Sequence, residues 1–468
     1  MKNRSVRGRN GFRLTRSNNR DSFGRTFEVT NEMSFRSKFA LIVLSATLAL
    51  YAVIGGWMST RAQQENDPGA QLRIFENVLQ HIQNDYVDEP NMAKVRAGAL
   101  RGLAYGLDPY STYLTPEQVR DYKSGTNNNQ AGIGAELSQF ASYLYVIAPM
   151  KGSPAEQAGV RAGDFIEYID NKATRDISLY DAKQLLNGAP GTEVKLRILR
   201  TNSRPLTLSV KRGTFKAPAA ETRMEQGRVG ILRINTLNEG EGAEVRSRLQ
   251  DLLKQGAQKI VLDLRNVAGG SFDEGVAVAN LFIKDGALAV KIGREGKVLK
   301  QSTADASKAI FSGPVVALID GGTAGAAEVV ASAFVDTKRG DVVGEKSFGA
   351  GAEQQLFALR DGDGLLLTIV KWASSKAKPF LGNDRASSGI APSVEVKRPE
   401  LADAVDPDDL TGNDDDAVRQ QQTQPGDKRE VQPETGPKQQ TPQEDIQLKK
   451  ALELIREKPA AQPQRAAA

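Results

Sequence analysis

The stretch "PVVALIDGGTAGAAEVVASAFVDTKRGDVVGE", residues 314–345, decides the fold. An unbroken apolar run ends at Ile319, a glycine-rich loop follows, and small residues then favour a helix that leads into a second apolar run, "DVVGE". Strand, loop, helix and strand in that order predict an α/β layer. Working outward, "RVGILRIN" and "KIVLDLR" read as further strands, and "EGAEVRSRLQDLLKQG" and "SFDEGVAVANLFIK" as the helices between them. The spacing therefore predicts an α/β core over residues 225–398. The loops "NVAGGS" (266–271) and "GGTAGAAE" (321–328) leave one sheet edge, where sites in such layers lie. The second loop has the layout of a catalytic turn, yet Gly325 stands where a nucleophile would be, and Ala350 where its base would be.

Composition narrows the chemistry. The chain of 468 residues has no cysteine and a single histidine, His81. Thiol nucleophiles, disulfides and thiolate metal sites are excluded, and a Ser-His-Asp triad or an imidazole metal site lacks its histidine. His81 lies just off an apolar stripe formed by Ile74, Phe75, Val78, Leu79 and Ile82, and reads as an ordinary helix-surface residue. The net charge of +5 is concentrated in a basic N-terminal arm, residues 1–38, so a nucleic-acid surface is not implied.

"FALIVLSATLALYAVIGGWM", residues 39–58, is an uncharged run of the length that spans a bilayer as a helix. Arg36 and Lys38 before it direct the N-terminus to the cytoplasm and the rest of the chain outward. "WMSTRAQQ" lacks a small-x-small cleavage pattern, so the expectation is an uncleaved signal anchor with the bulk of the chain on the extracytoplasmic, periplasmic side. Met33 is an alternative start to Met1. Residues 68–125 read as a helical subdomain, with a turn at Asp108-Pro109 and a helix start at Thr115-Pro116.

Between residues 130 and 216 the pattern changes to short strands and glycine turns. "AGIG", Ala131, Gly132, Ile133 and Gly134, precedes a strand at "YLYVIAP"; "SLYDAKQLLNGAPG" supplies a helix and "EVKLRILR" alternates as a strand. This order resembles a PDZ domain. The resemblance implies that the N–H groups of Ala131 to Gly134 receive the terminal carboxylate of a peptide, which adds as an extra strand.

Beyond residue 398 the chain turns polar and proline-rich, which predicts a disordered tail over 399–468. The acidic cluster 406–416 lacks the spaced ligands of a calcium loop and reads as solvated linker. "IQLKKALELIREK" puts Leu448, Leu452 and Ile455 on one face of a short docking helix.

Taken together, "NDYVDE", "LDPYSTYL", the PDZ-like segment, "VLDLRNVAGG", "GGTAGAAE", "VVGEKSFGAG" and "GIAP" resemble the carboxyl-terminal processing (tail-specific) protease family from about residue 72 to 396. The resemblance implies a serine protease that uses a Ser-Lys dyad, needs no histidine or cofactor, and admits protein C-termini through its PDZ domain. Carried over position by position, the family's serine falls on Gly325 and its lysine on Ala350, so neither is present. A glutamine of the family corresponds to Gln354. Gly269 and Gly270 match its oxyanion donors, although Val267-Ala268 replace the usual asparagine-proline, and Ser393 replaces the aspartate of the late motif.

The expectation is a membrane-anchored pseudoprotease that binds C-termini and serves as a scaffold or regulator. Its expected partners are peptide or protein C-termini, with an active paralogous protease or self-association in addition. The alternative is an active endopeptidase with a relocated nucleophile, Ser271 or Ser347, served by Lys346 on a strand that points into the same cleft.

Overall fold

A computed structural model describes residues 39–40, 42–52, 68–125, 131–140, 142–201, 203–398 and 444–459. The basic arm, part of the 39–58 run and the acidic cluster lie outside the described residues. Residues 42–52 are helical, and among the described residues no helix is long and apolar enough to cross a membrane. The chain divides into two units at Asn91/Met92, inside the segment expected to be one helical subdomain. In the first unit, α1 (Pro68–Asp85) carries the predicted stripe on its exposed surface, and His81 Nδ1 sits 2.6 Å from Asp85 Oδ2, one helical turn on.

The second unit opens with α2 (Met92–Tyr105), β1 (Thr112–Leu114) and α3 (Pro116–Ser124). α3 begins as expected: Pro116 occupies its first turn, and Thr115 and Gln118 exchange hydrogen bonds as a capping box. β1 was not foreseen, and it ties this segment into a sheet of the core.

The PDZ-like segment follows with β2 (Ala135–Phe140), β3 (Tyr143–Pro149), α4 (Pro154–Gln157), β4 (Phe165–Ile169), β5 (Lys172–Ala173), α5 (Leu179–Leu186), β6 (Glu193–Leu199) and β7 (Leu206–Lys211). Its sheet runs β2-β3-β4-β6-β7, with β5 on β4, so β2 is an edge strand. Alternation along β3 gives the strand two jobs. Leu144, Val146 and Ala148 face inward, two of them in this domain's own core, while Tyr145 and Ile147 face outward.

The α/β core holds β8 (Glu221–Glu225), β9 (Val229–Arg233), α6 (Glu241–Lys254), β10 (Lys259–Asp263), α7 (Phe272–Asn280), β11 (Ala287–Ile292), β12 (Val298–Thr303), β13 (Val315–Ile319), α8 (Ala326–Thr337), β14 (Asp341–Gly344), β15 (Ala352–Ala358), β16 (Gly364–Ser374) and β17 (Val394–Glu395). One sheet runs β17-β14-β13-β10-β9-β8 and is parallel except at β8. A second, antiparallel sheet runs β1-β16-β11-β12, with β15 paired to β16.

The parallel strands β9, β10, β13 and β14 are buried on both faces, which is why they read as continuous apolar runs. Ile260, Leu262, Val315, Ala317 and Ile319 pack on the side of α6, α7 and α8. Val261, Val316, Leu318 and Val343 pack on the other side, under α9 (Ile446–Glu457). The predicted docking helix is thus the cover of the core's second face. Its fully buried side chains are Gln447, Ala451 and Ile455, with Leu448 and Leu452 half-buried at the margin. Arg265 fixes its start, with Nη1 and Nη2 each 2.8 Å from an oxygen of Asp445 while Nε and Nη2 hold Asp263.

Candidate active site

β10 and β13 are parallel neighbours, so the two glycine-rich loops leave the same edge, as expected. Asp320, at the end of β13, binds them together. Its fully buried carboxylate accepts from Asn266 N at 2.9 Å and from Gly322 N at 3.0 Å, and its own N–H donates to Thr323 Oγ1 at 2.9 Å. Thr323 is not the helix cap that its type suggests, because its hydroxyl donates across to Leu264 O at 2.9 Å. α8 instead starts at Gly325, and the carboxylate of Glu328 accepts from Gly325 N at 2.9 Å.

Glu328 is the centre of the site, and it is fully buried. Its Oε2 takes Gly325 N and Ala350 N, at 2.9 and 2.8 Å; its Oε1 takes Gly349 N at 2.7 Å and the Ser347 hydroxyl at 2.5 Å. The two positions that the family pattern assigns to nucleophile and base are therefore brought together, with their backbone N–H groups on one carboxylate oxygen. Burial pushes the Glu328 carboxyl up to about 7, against the pull of its four donors toward the ionised form.

Gly325 has φ 66° and ψ −117°, in the left-handed region that side chains avoid, and a Cβ there would lie 2.7 Å from the Gly269 carbonyl oxygen. That carbonyl is turned into the site and accepts from Ala326 N at 2.9 Å. The N–H following a nucleophile commonly serves an oxyanion, and here it is spent. Gly269 and Gly270, both at positive φ, make no N–H hydrogen bond to a described residue. The carboxylate of Glu136 from β2 stands beside them, 3.1 Å from where a Gly269 Cβ would be.

The cleft beside these turns is closed by apolar packing. Ile147, Ala324, Phe348 and Ala350 form one buried cluster with Tyr145 and Ala268 against it. The rings of Tyr145 and Phe348 stack with centroids 5.4 Å apart and planes 18° apart. Every core residue in that cluster lies on one of the loops that would form a catalytic site, and its partners are the outward side chains of β3.

The relocated dyad does not assemble. Residues 345–351 are irregular, so Lys346 does not point into the cleft from a strand; its Nζ donates to Ala386 O at 2.5 Å. Ser347 is fully buried, donating to Glu328 and accepting from Ile390 N at 2.7 Å. Ser271 stands at the start of α7, with its N–H on Leu237 O and no side-chain cap bond. Gln354 Nε2 reaches Thr368 Oγ1 at 3.3 Å, and that hydroxyl donates to Asp108 Oδ1 at 3.0 Å, so Gln354 belongs to a polar network with the "LDPYS" turn. The residues that sequence reasoning missed are Glu328, Glu136, Tyr145 and Ile147. The first had a signal, a glutamate three positions after a helix start.

In the PDZ-like segment the carbonyls of Gly132, Ile133 and Gly134 accept from Gly213 N, Ala155 N and Met150 N, at 3.1, 2.8 and 2.9 Å. Their own N–H groups make no hydrogen bond to a described residue, whereas Ala131 N is bound to Gly188 O. A Cβ on Gly134, at φ 71°, would lie 2.3 Å from the Phe215 ring, so only glycine fits that turn. β2 is tied to α5 by Glu136 and Lys183 at 3.6 Å, and to the segment before α5 by Gln139 Nε2, which donates to Ile177 O at 2.7 Å.

Comparison with known proteins agrees with this architecture. Residues 228–396 match peptidase family S41, and residues 145–200 match a PDZ domain. A probable CtpA-like serine protease of Staphylococcus aureus (strain MRSA252) is 33% identical over 362 residues, 77% of this chain and 71% of that protein. The chain belongs to the carboxyl-terminal processing protease family. The carboxy-terminal processing protease CtpA of Bacillus subtilis (strain 168) is 29% identical over 368 residues, covering 78% of each chain. Among solved structures, a photosystem II D1 C-terminal processing protease superposes with a TM-score of 0.58 at 28% identity, over 70% of this chain and 88% of that one.

Replacing Glu328 with glutamine turns an NH2 group toward one pair of N–H and O–H donors, and is expected to cost on the order of 3 kcal/mol in chemical denaturation. The sign of the pH effect follows from burial: between about pH 4.5 and about 7 the folded state keeps a proton that the unfolded state has released. The stability of the wild type relative to Glu328→Gln should therefore fall across that window and be level above it.

Proposed function

We propose that this chain is a catalytically silent member of its family, a C-terminus-binding scaffold or regulator anchored at the cell membrane with its folded units outside the cytoplasm. One observation carries the silence: Gly325 and Ala350 meet at a single oxygen of Glu328, and neither has a side chain that transfers a proton or attacks a carbonyl. Ser-Lys chemistry needs an amine that deprotonates a hydroxyl and a donor pair that faces the oxyanion. Here the amine is absent, and Ala326 N is turned onto Gly269 O.

The binding role rests on the loop at Gly132 to Gly134, with its carbonyls turned in and its N–H groups unspent beside an edge strand. That arrangement suits a carboxylate and an added strand. The anchor rests on the uncharged run 39–58 and the basic residues before it. An active family member remains a partner that such a scaffold would serve.

Three outcomes are expected. The purified chain cleaves no unfolded or tail-bearing protein, and Gly325→Ser with Ala350→Lys stays inert as well, because the serine Cβ meets the Gly269 carbonyl and Ile147 covers position 350. Proteolysis by the parent that disappears with Ser271→Ala or Ser347→Ala would refute the silence. Free-acid peptides bind the PDZ domain at least about tenfold more tightly than the same peptides amidated, by fluorescence anisotropy, since the loop donors lose an anionic acceptor; equal affinities would exclude this mode. The protein stays with membranes after a salt wash, and its appearance in the soluble fraction would exclude the anchor.

A further inference from the structure

A cavity of about 530 Å3 opens between the PDZ domain and the carboxyl ends of β9 and β10, on residues that the Glu328 site does not use. Five arginines line it: Arg161, Arg200, Arg233, Arg265 and Arg398. Two of them are spent. Arg200 gives Nε and Nη2 to the two oxygens of Asp164 at 2.7 and 2.8 Å, and Nη2 also to Gly159 O at 2.8 Å. Arg265 is divided between Asp263 and Asp445.

The other three keep donors in reserve. Arg233 makes one side-chain hydrogen bond, Nη1 to Asp263 Oδ2 at 3.2 Å. Arg398 reaches Asp320 and Glu345 with Nη2 alone, at 3.3 and 3.4 Å, and its buried Nε has no hydrogen-bond partner. Arg161 is exposed, and its guanidinium has no ion pair among the described residues. The Arg233 and Arg398 side chains stay about a third exposed, so the N–H groups that their carboxylates leave unused are open to a ligand.

We propose that this cavity binds a small multivalent oxyanion, a phosphate or polycarboxylate, between Arg161 of the PDZ domain and Arg233 and Arg398 of the core. The planar guanidinium fork matches carboxylate and phosphate oxygens two at a time. Asp263, Asp320 and Glu345 stand behind the core arginines, where they fix the forks in place and offset their charge. Recognition therefore depends on the unspent N–H donors, and a monovalent anion that meets one fork gains little. Because its ligands come from both domains, an occupied site would add a bridge between the PDZ domain and the core.

Isothermal titration of the full chain with pyrophosphate, and separately with citrate, tests this at fixed ionic strength set with sodium chloride. Saturable one-to-one binding is expected, with a Kd below about 1 mM for at least one of them. Preference for pyrophosphate marks a phosphate ligand, and preference for citrate a carboxylate ligand. Arg161→Ala, at an exposed residue the fold does not need, should weaken binding about tenfold, and Arg233→Ala should do so by a similar factor. No saturable heat with either anion up to about 10 mM, or affinities unchanged in both variants, would overturn the proposal.

Discussion

One buried carboxylate sets the terms for the whole site. Glu328 lies where water does not reach, so its charge is tolerable only while every donor around it is in place. Those donors come from three places in the chain: Gly325 at the start of α8, Ser347 after β14, and Gly349 with Ala350 just before β15. Ser347 in turn holds Ile390. The two glycine-rich turns are therefore not separately adjustable. Each keeps its conformation because the other completes the hydrogen bonds of the same group.

That constraint explains how the fold tolerates glycine at 325 and alanine at 350. The Glu328 contacts at positions 325 and 350 are made by backbone N–H groups, and any residue able to take the backbone shape can supply those. At 325 that shape is left-handed and crowded by Gly269 O, and glycine relieves it. At 350 a methyl group adds to the apolar surface on which Ile147 and Tyr145 rest. There alanine makes a dry seat for the PDZ strand β3. The PDZ domain and the core thus share a small hydrophobic interface beside the Glu328 turns, and β3 serves both by alternation.

Much of this was legible in the chain, for reasons that differ between elements. β9, β10, β13 and β14 are buried on both faces, so their apolar runs announced them, and the gaps between runs fitted helices. Motif spacing singled out Gly325 and Ala350, and their N–H groups meet on one oxygen of Glu328. The antiparallel sheet was not legible: β1 is three residues long, β12 and β15 expose polar and apolar residues alike, and β11 and β16 bury consecutive residues rather than alternate ones. Lys346 was misjudged because strand geometry was assumed for a stretch that is irregular. The role of α9 lay beyond reach of local pattern, since an amphipathic helix after a long polar segment does not say which face it covers.

The most direct measurement is amide hydrogen exchange at Gly325 and Ala350 in the full-length protein. If Glu328 locks both turns beneath the PDZ strand, these two amides exchange only through openings that also release the buried strands β10 and β13, with protection close to the global stability. Fast exchange at either amide, at a rate typical of an exposed loop while the strands stay protected, would contradict the account.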